Sequence, residues 1–318
     1  MQVVMCEAYG EPDSLVVKQV ASPDPGPKDV KIRLRARGVS YTDVLRIAGK
    51  YHVKTAPPFI PGGEAAGEII ALGSDVAGFQ IGDRVLSGGG FAEETVQPAA
   101  SVIKLPPHVS FEAAAAFRSN YTTAYYALQR GRLQPGETLL VHGAAGGVGL
   151  ATVDMGKLMG ARVIATARNA ERLEICKKLG ADHVIDYSSG FRDAVKDLTG
   201  GRGADVVFDP VGGDVFDESM RCIAPFGRIL IVGFTGGRPG EAKTNHLLVK
   251  DAEVIGFTIG ALNRLDPARA QRNLDVLVGW LSAGRIQPYH SHALPLAQAA
   301  DALKLILDRK VVGKALLV

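Results

Sequence analysis

A glycine-rich turn within residues 138–168 combines residue types and spacing suited to binding a phosphate. An apolar segment leads into the turn 143–149 (GAAGGVG), an amphipathic segment of helical length follows, and a second apolar segment closes the unit. A glycine turn between a buried strand and a helix binds a dinucleotide pyrophosphate, because backbone N–H groups approach the phosphate where no Cβ intervenes. Ala144 stands where the common G-x-G-x-x-G pattern has its first glycine. We therefore predict a dinucleotide site, in which Ala145, Gly146, Gly147 and Val148 contact the cofactor. The alternative is a turn that serves only helix–strand packing.

The end of the second apolar segment indicates which dinucleotide is bound. NAD-specific sites place an acidic side chain about 20 residues beyond the turn, where it holds the ribose 2′-hydroxyl. Here the segment ends in Ala167 and Arg168, with Arg172 shortly after and no acid at the strand end. A carboxylate would repel a 2′-phosphate, whereas both arginines can pair with it. The predicted cofactor is NADPH; the alternative is that the arginines are solvated charges at a helix start, and Glu171 would neutralise part of such a pocket.

The spacing of the apolar segments follows two different patterns along the chain, which predicts two domains and an α/β fold. Residues 1–120 contain short apolar segments between Gly, Pro and Asp turns, which is typical of a small β-rich, barrel-like domain. Over 121–262 strands alternate with helices, which predicts a Rossmann-type doubly wound parallel sheet. The tail, 263–318, is expected to complete the first domain. Predicted strands are 2–5, 30–39, 65–72, 83–86, 91–96, 138–142, 162–166, 183–185, 204–209, 227–232 and 253–257; predicted helices are 110–117, 122–130, 170–179, 213–223, 272–283 and 296–308.

Composition and charge argue against several classes of function. The chain of 318 residues is 47% hydrophobic and 22% charged, as is ordinary for a globular protein. Its net charge of +3, without blocks of like charge, predicts neither nucleic acid nor a membrane surface as a partner. No apolar run approaches the roughly 18 residues of a membrane span, and the N-terminal segment lacks the pattern of a signal peptide. The three widely separated cysteines favour a reduced, cytoplasmic setting.

Seven segments make the chain similar to a known family. They are GVSYTDVLRIAGKY (38–51), PFIPGGEAAGEIIALGSDVAGFQIGDRV (58–85), YTTAYYAL (121–128), LLVHGAAGGVG (139–149), LGADHVIDY (179–187), FDPVGG (208–213) and GKALLV (313–318). Over nearly its whole length the chain resembles zinc-independent members of the medium-chain dehydrogenase/reductase superfamily, close to the zeta-crystallin-like NADPH:quinone oxidoreductases. The resemblance implies a GroES-like catalytic domain, a Rossmann domain, an active site in the cleft between them and a homodimer.

The resemblance also implies roles for individual residues on the cofactor side. Tyr187 matches a family tyrosine near the adenosine phosphate, and residues 233–235 follow a predicted strand at the point where the family's backbone meets the nicotinamide carboxamide. Asn245 matches a family asparagine near the cofactor, with an ordinary cap asparagine as the alternative. The matched cofactor-binding residues beyond the turn are Arg168, Arg172, Tyr187, Gly233, Phe234, Thr235, Asn245 and Lys314.

In the GroES-like catalytic domain the resemblance indicates Tyr51, Tyr41 and Ser40 as candidate catalytic residues. Tyr51 matches a family tyrosine proposed as a proton donor, by direct transfer or through a water; the alternative is a half-buried packing aromatic. Tyr41 matches a position beside the cleft. Many quinone reductases carry Asn at the position of Ser40 and a second Tyr at that of Leu45, so the pocket here is expected to be more apolar.

No metal site is expected. Ser40 and Tyr41 stand where alcohol dehydrogenases carry a cysteine ligand, and Gly63 stands where they carry a histidine. The four-cysteine lobe that holds structural zinc is absent, and the motif His290-Ser291-His292 is expected to lie on an exposed loop.

The predicted function is a zinc-independent, NADPH-dependent reductase of quinones or related α,β-unsaturated carbonyl compounds, since such acceptors are electrophilic without a metal. One alternative is an enoyl or acryloyl thioester reductase, for which Arg46, Lys50 and Lys54 would offer a basic rim. Another is a nucleotide-binding structural or redox-sensing protein with little turnover.

Overall fold

The computed structural model describes residues 1–318 and divides them into two compact units. Unit 1 comprises Met1–Arg118 and Pro288–Val318, and unit 2 comprises Ser119–Gln287. The first part of unit 1 contains β1 (Gln2–Met5), β2 (Val16–Gln19), β3 (Asp29–Val39), α1 (Tyr41–Ile47), β4 (Glu64–Leu72), β5 (Arg84–Ser87), β6 (Glu94–Pro98), β7 (Ile103–Lys104) and α2 (Phe111–Ala115). There follow α3 (Arg118–Arg130), β8 (Thr138–Val141), α4 (Gly147–Leu158), β9 (Arg162–Ala167), α5 (Ala170–Lys178), β10 (His183–Asp186), α6 (Arg192–Leu198), β11 (Ala204–Asp209), α7 (Gly213–Cys222), β12 (Ile223–Ile231), α8 (Thr244–Lys250), β13 (Glu253–Gly256), α9 (Ile259–Leu265) and α10 (Pro267–Ser282). The last part of unit 1 contains β14 (His290–Leu294), α11 (Ala299–Leu307) and β15 (Lys314–Leu317).

Unit 1 is built on a seven-stranded sheet around the long strand β3. The strand order is β14-β15-β3-β4-β5-β7, β6 pairs with β3 as well, and only the β14–β15 pair is parallel. One core forms between β3, β4 and β5 around Val30, Ile32 and Ile69. A second core joins α1 to α11 and β15 through Ile47, Leu303 and other fully buried side chains. The C-terminal strand thus completes the sheet that the N-terminal half begins.

Unit 2 is a six-stranded parallel sheet in the order β10-β9-β8-β11-β12-β13. Strands β8 and β11 are buried at every position, as expected for central strands that helices cover on both faces. The chain leaves β8 toward one side of the sheet and enters β11 on the other, so the strand order reverses between them. Ligands bind at the carboxyl ends of strands at this kind of reversal. The predicted α/β fold, with a doubly wound parallel sheet and a β-rich domain, is confirmed.

Two regions differ from the sequence-based expectation. Residues 263–287 belong to unit 2 rather than to the β-rich unit, because α10 packs on α3. The Asn273 amide exchanges hydrogen bonds with the Gln129 amide at 3.1 and 3.0 Å, and the Trp280 ring meets the Tyr125 ring edge-on at 5.4 Å between centroids. His290-Ser291-His292 lies in strand β14 rather than on a loop, because its alternating burial fits an edge strand beside β15.

None of the helices combines the length and the apolar character that crossing a membrane requires.

Candidate functional site

The glycine turn after β8 has the geometry that a bound pyrophosphate requires. Gly143 adopts a left-handed φ of +55°, and a Cβ on Gly149 would lie 2.3 Å from the Gly143 carbonyl oxygen. Only glycine at position 149 therefore lets the first turn of α4 close onto the loop. Gly146 is the N-cap of α4, and Gly147 and Val148 are its first two residues. The first N–H groups of a helix have no intrahelical acceptor, so this turn can hold an anion.

Arg168 and Tyr187 stand together at the carboxyl ends of β9 and β10. The Arg168 guanidinium carbon lies 5.1 Å from the centroid of the Tyr187 ring, and the Arg168 side chain is exposed. Asn169 caps α5 by accepting a hydrogen bond from the Arg172 N–H at 3.1 Å. The side chains of Arg168 and Tyr187 thus meet at one edge of the sheet, and Arg172 lies in the first turn of the helix that starts there.

Asp186, which the sequence reasoning overlooked, belongs to the same edge. Its Oδ1 accepts hydrogen bonds from Ser188 N–H at 2.9 Å and from Ser188 Oγ at 2.6 Å. These bonds, and further the charge of Arg168, lower the pKa of the Asp186 carboxyl. Its negative charge therefore offsets part of the positive charge that Arg168 brings.

The loops after β11 and β12 are tied to each other beside the glycine turn. Thr235 donates to the Pro210 carbonyl from both its N–H and its Oγ1, each at 3.0 Å. The fully buried Asp209 fixes this loop, since its Oδ1 accepts from the N–H groups of Val211 and Gly212 at 2.8 and 2.9 Å. Burial raises the pKa of Asp209. Gly233, Phe234 and Thr235 lie on this loop pair, and Asn245 is the exposed second residue of α8.

His142, the residue between β8 and the turn, anchors the turn from inside the sheet. Its Nδ1 lies 2.9 Å from Thr166 Oγ1, and its Nε2 lies 2.8 Å from Ser219 Oγ. Burial lowers the pKa of His142 to about 3, so the ring is neutral at physiological pH. This network links β8, β9 and α7 at the point where the turn begins.

In unit 1, the predicted catalytic residues Ser40 and Tyr41 lie at the start of α1. Ser40 is the N-cap, and Asp43 accepts from its N–H and from its Oγ, both at 2.8 Å. Burial raises the pKa of Asp43, which is only 3% exposed. Tyr41 is 45% exposed.

Tyr51 lies on the bend that follows α1. Its N–H donates to the Leu45 carbonyl at 3.1 Å, which holds the bend against the end of the helix. The half-buried Tyr51 ring lies 4.2 Å from the His52 ring, and the Arg46 guanidinium carbon lies 5.8 Å from the Tyr51 centroid. The phenol therefore stands in a partly exposed, cationic surrounding.

Lys314 occupies the buried side of the same unit. Its ammonium pairs with the carboxylate of Glu64, and the two residues are 3% and 5% exposed. The sequence analysis assigned Lys314 to the cofactor-binding residues. In the structure its ammonium forms an ion pair with the buried Glu64 carboxylate.

Comparison with known proteins decides the family. Residues 26–107 match the model described as alcohol dehydrogenase GroES-like domain, and residues 147–275 match the one described as zinc-binding dehydrogenase. A quinone oxidoreductase-like protein 2 homolog of Nematostella vectensis is 39% identical over 325 residues, covering 99% of this chain and 88% of that protein. A quinone oxidoreductase of Pseudomonas aeruginosa is 33% identical over 317 residues, covering 98% and 97%. The chain belongs to the quinone oxidoreductase family of the medium-chain dehydrogenases/reductases.

A solved structure of this family extends the likeness to three dimensions. Escherichia coli quinone oxidoreductase complexed with NADPH aligns with a TM-score of 0.88 and 27% identity, covering 100% of both chains. The two matched domains also fall within the two units, the GroES-like one in unit 1 and the dehydrogenase one in unit 2. The family predicted from the seven sequence segments is confirmed.

Although one of the matching family models is described as zinc-binding, no three His, Cys, Asp or Glu side chains of this family member are grouped closely enough to hold a metal. All three cysteines are buried thiols.

Proposed function

We propose that this chain is an NADPH-dependent reductase that transfers hydride, without zinc, to quinones or related α,β-unsaturated carbonyl compounds. The observation that carries the proposal is the exposed Arg168, packed on Tyr187 one strand away from the glycine turn. A guanidinium at that place favours a dinucleotide with a 2′-phosphate, because it pairs with phosphate oxygens through a planar fork of donors.

The residues of unit 2 fit NADPH at three places. The first N–H groups of α4 would hold the pyrophosphate, Arg168 and Arg172 would pair with the 2′-phosphate, and the loop 233–235 would receive the nicotinamide carboxamide. Asp209 keeps that loop in place through the bonds that fix residues 210–212. When bound, NADPH supplies the hydride, and the protein supplies position and charge.

The residues of unit 1 fit an acceptor that carries a carbonyl oxygen. Hydride addition to a quinone or an enone places negative charge on that oxygen. The half-buried Tyr51 phenol can donate a hydrogen bond to it, and the neighbouring Arg46 favours the charge. Ser40 and Tyr41 at the start of α1 offer further donors.

The zinc-free part of the proposal depends on the side chains around α1. Hydroxyl groups and a glycine occupy the positions where a cysteine and a histidine would bind zinc, and alcohols are poor zinc ligands in proteins. Elemental analysis of the purified protein should find much less than one zinc per chain. A full equivalent that is lost together with activity on chelation would overturn this part.

The experiment that tests the function is a steady-state assay of cofactor oxidation with a simple quinone and with a crotonyl thioester, each run with NADPH and with NADH. We expect turnover with the quinone and a preference for NADPH. Turnover with the thioester alone would favour an enoyl thioester reductase. In the structure the exposed Lys54 donates to the Gly49 carbonyl, and its ammonium keeps further donors and its charge for an anionic substrate group, as do Arg46 and Lys50.

Tight binding of NADPH without oxidation by either acceptor would contradict the reductase proposal and favour a nucleotide-binding protein. Equal use of NADH and NADPH would contradict the role of Arg168 while leaving the reaction type in place. The four combinations of cofactor and acceptor therefore separate the parts of the proposal.

A further inference from the structure

One carboxylate oxygen binds both ends of unit 2. Asp154 Oδ2 accepts a hydrogen bond from the Tyr121 hydroxyl at 2.6 Å and another from the Gln287 N–H at 2.9 Å. Tyr121 is the third residue of unit 2, and Gln287 is its last. The chain passes between the units only twice, after Arg118 and after Gln287. Asp154 therefore fixes the points at which both of these connections meet unit 2.

Asp154 lies on α4, the helix that begins at the glycine turn. All other residues of 149–156 are buried, and Asp154 is half-buried among them. The helix packs closely on the sheet, since a Cβ at Gly156 would lie only 2.5 Å from Leu139 Cδ2. The helical rise places Asp154 about 12 Å along the axis from the N-cap Gly146. A single helix thus carries the proposed pyrophosphate site at its start and both connections further along.

The Asp154 carboxylate has a cost that packing does not explain. Burial raises the pKa of Asp154, whereas the hydrogen bonds from Tyr121 and Gln287 lower it. Burial and the charge of Asp154 raise the pKa of Tyr121, so the phenol keeps its proton and is the donor. An apolar side chain would suit this stretch of α4 without the cost of taking a charge out of water. The carboxylate therefore serves its two donors, and each donor stands beside a connection.

We propose that Asp154 is a positioning residue for hydride transfer, which holds both connections on the cofactor helix α4 and touches neither cofactor nor acceptor. This inference rests on the proposed reductase function, in which unit 2 binds NADPH and unit 1 contributes Tyr51. Hydride transfer needs the reacting atoms about 3–3.5 Å apart, and a misplacement of about 1 Å can cost about 10²-fold in rate. Freeing the connections should therefore lower kcat while NADPH still binds to unit 2.

Three variants separate positioning from structural support. Asp154→Leu removes both hydrogen bonds and keeps a side chain of similar size. Asp154→Asn removes the charge but keeps an amide oxygen that can accept both bonds. Tyr121→Phe removes one bond and keeps the ring. The matched control is Lys157→Met, which breaks the 2.8 Å ion pair between Lys157 and Asp182 on the same helix and frees neither connection.

Three measurements are needed: hydrogen exchange of the segment 284–289 by mass spectrometry, the Kd for NADPH by cofactor fluorescence, and kcat with NADPH and a quinone. In Asp154→Leu the Gln287 amide loses its bond to a charged group, so the segment should exchange roughly tenfold faster. The kcat of this variant should fall roughly tenfold, with the Kd for NADPH within about twofold of the wild type.

The other proteins sharpen this result. Tyr121→Phe should lower kcat less than Asp154→Leu does, and Asp154→Asn should stay near the wild type in exchange and in kcat. Lys157→Met should change neither. In the wild type, NADPH should slow the exchange of 284–289, because it binds to the helix that holds this segment.

Each outcome decides between positioning and a merely structural role. Wild-type kcat in Asp154→Leu, or a fall in kcat with an equally large rise in the Kd for NADPH, would overturn the inference and leave the reductase function standing. An equal loss of kcat in Lys157→Met would do the same, because any damage to α4 would then suffice.

The inference stays testable if Asp154→Leu does not fold. Unchanged kcat in Tyr121→Phe, or wild-type exchange of 284–289 that NADPH does not slow, would then overturn it. A wild type that oxidises no NADPH with any quinone or enone would overturn both the inference and the proposed function.

Discussion

The two regions proposed to act on the cofactor and on the acceptor use charge in opposite ways. The nucleotide edge of unit 2 carries its charges in solvent, on Arg168 and Asp186. The region beneath α1 in unit 1 carries Asp43, Glu64 and Lys314 in the interior, each at most 5% exposed. Exposed charges contribute little to folding and act on ligands, whereas buried charges depend on their partners. The same type of side chain should therefore affect binding in one region and stability in the other.

The sharpest test of this difference is Lys314→Met. The substitution leaves Glu64 buried without its cation, and breaking a buried pair on one side costs about 3–5 kcal/mol of unfolding free energy. Urea unfolding followed by circular dichroism measures the loss. The matched control is Lys310→Met, because Lys310 is an exposed lysine paired with Asp308 at 3.2 Å and should cost less than about 1 kcal/mol.

A second substitution separates the effect of charge from the effect of packing at the Lys314–Glu64 ion pair. The double variant Lys314→Met with Glu64→Gln removes both charges and should recover most of the lost stability. If Lys314→Met instead folds normally and raises the KM for NADPH, Lys314 is a cofactor residue, and the contrast between the two regions fails.

Tyr51→Phe tests the acceptor side by activity rather than by stability. Loss of one hydrogen-bond donor to the developing oxyanion should lower kcat by about 10²-fold for an enone or a quinone. The ring and its tilted contact with the His52 ring remain, so the free energy of unfolding should not change. Tyr289→Phe, in a partly exposed tyrosine outside the proposed site, is the control. Wild-type turnover in Tyr51→Phe would make Tyr51 a packing residue.

The nucleotide edge could be predicted from the sequence because its parts are local. The strand, the glycine turn and the helix of 138–158 are contiguous, and the absence of an acid after β9 is visible in one short segment. The doubly wound parallel sheet follows from the alternation of apolar strand and helix segments, whereas its strand order is known only from the structure. Asp186 was missed because its position at the end of β10 beside Arg168 depends on the pairing of two strands.

The region beneath α1 could be predicted only in part, because it is assembled from distant segments. Glu64 and Lys314 are far apart in sequence, and neither residue type signals burial. The predicted boundary at 262/263 failed for a similar reason, since only contacts such as that between Gln129 and Asn273 show that α10 stays with unit 2.

Gly149→Ala tests whether the turn of unit 2 depends on backbone shape. The added Cβ would lie 2.3 Å from the Gly143 carbonyl oxygen, so the turn must shift. We expect a loss of about 1–3 kcal/mol in stability and weaker NADPH binding, measured by urea unfolding and by cofactor fluorescence. Gly279→Ala is the matched control, because this helical glycine has open space around its Cβ position and should be neutral or gain up to about 1 kcal/mol. Normal NADPH binding by Gly149→Ala would contradict the pyrophosphate assignment.

Arg168→Ala should give the smallest change in folding and a selective change in binding. Because Arg168 is exposed, its loss should leave the unfolding midpoint near that of the wild type, unlike the loss of Lys314. The proposed pairing with the 2′-phosphate would be a charge-assisted hydrogen bond, so its loss should raise the KM for NADPH roughly tenfold while that for NADH stays nearly constant. Arg162→Ala is the control, since Arg162 is an exposed arginine at the opposite end of β9 that bonds to His183 at 2.8 Å. Equal changes in the KM for NADPH and for NADH would show that Arg168 supports the local structure without binding the 2′-phosphate.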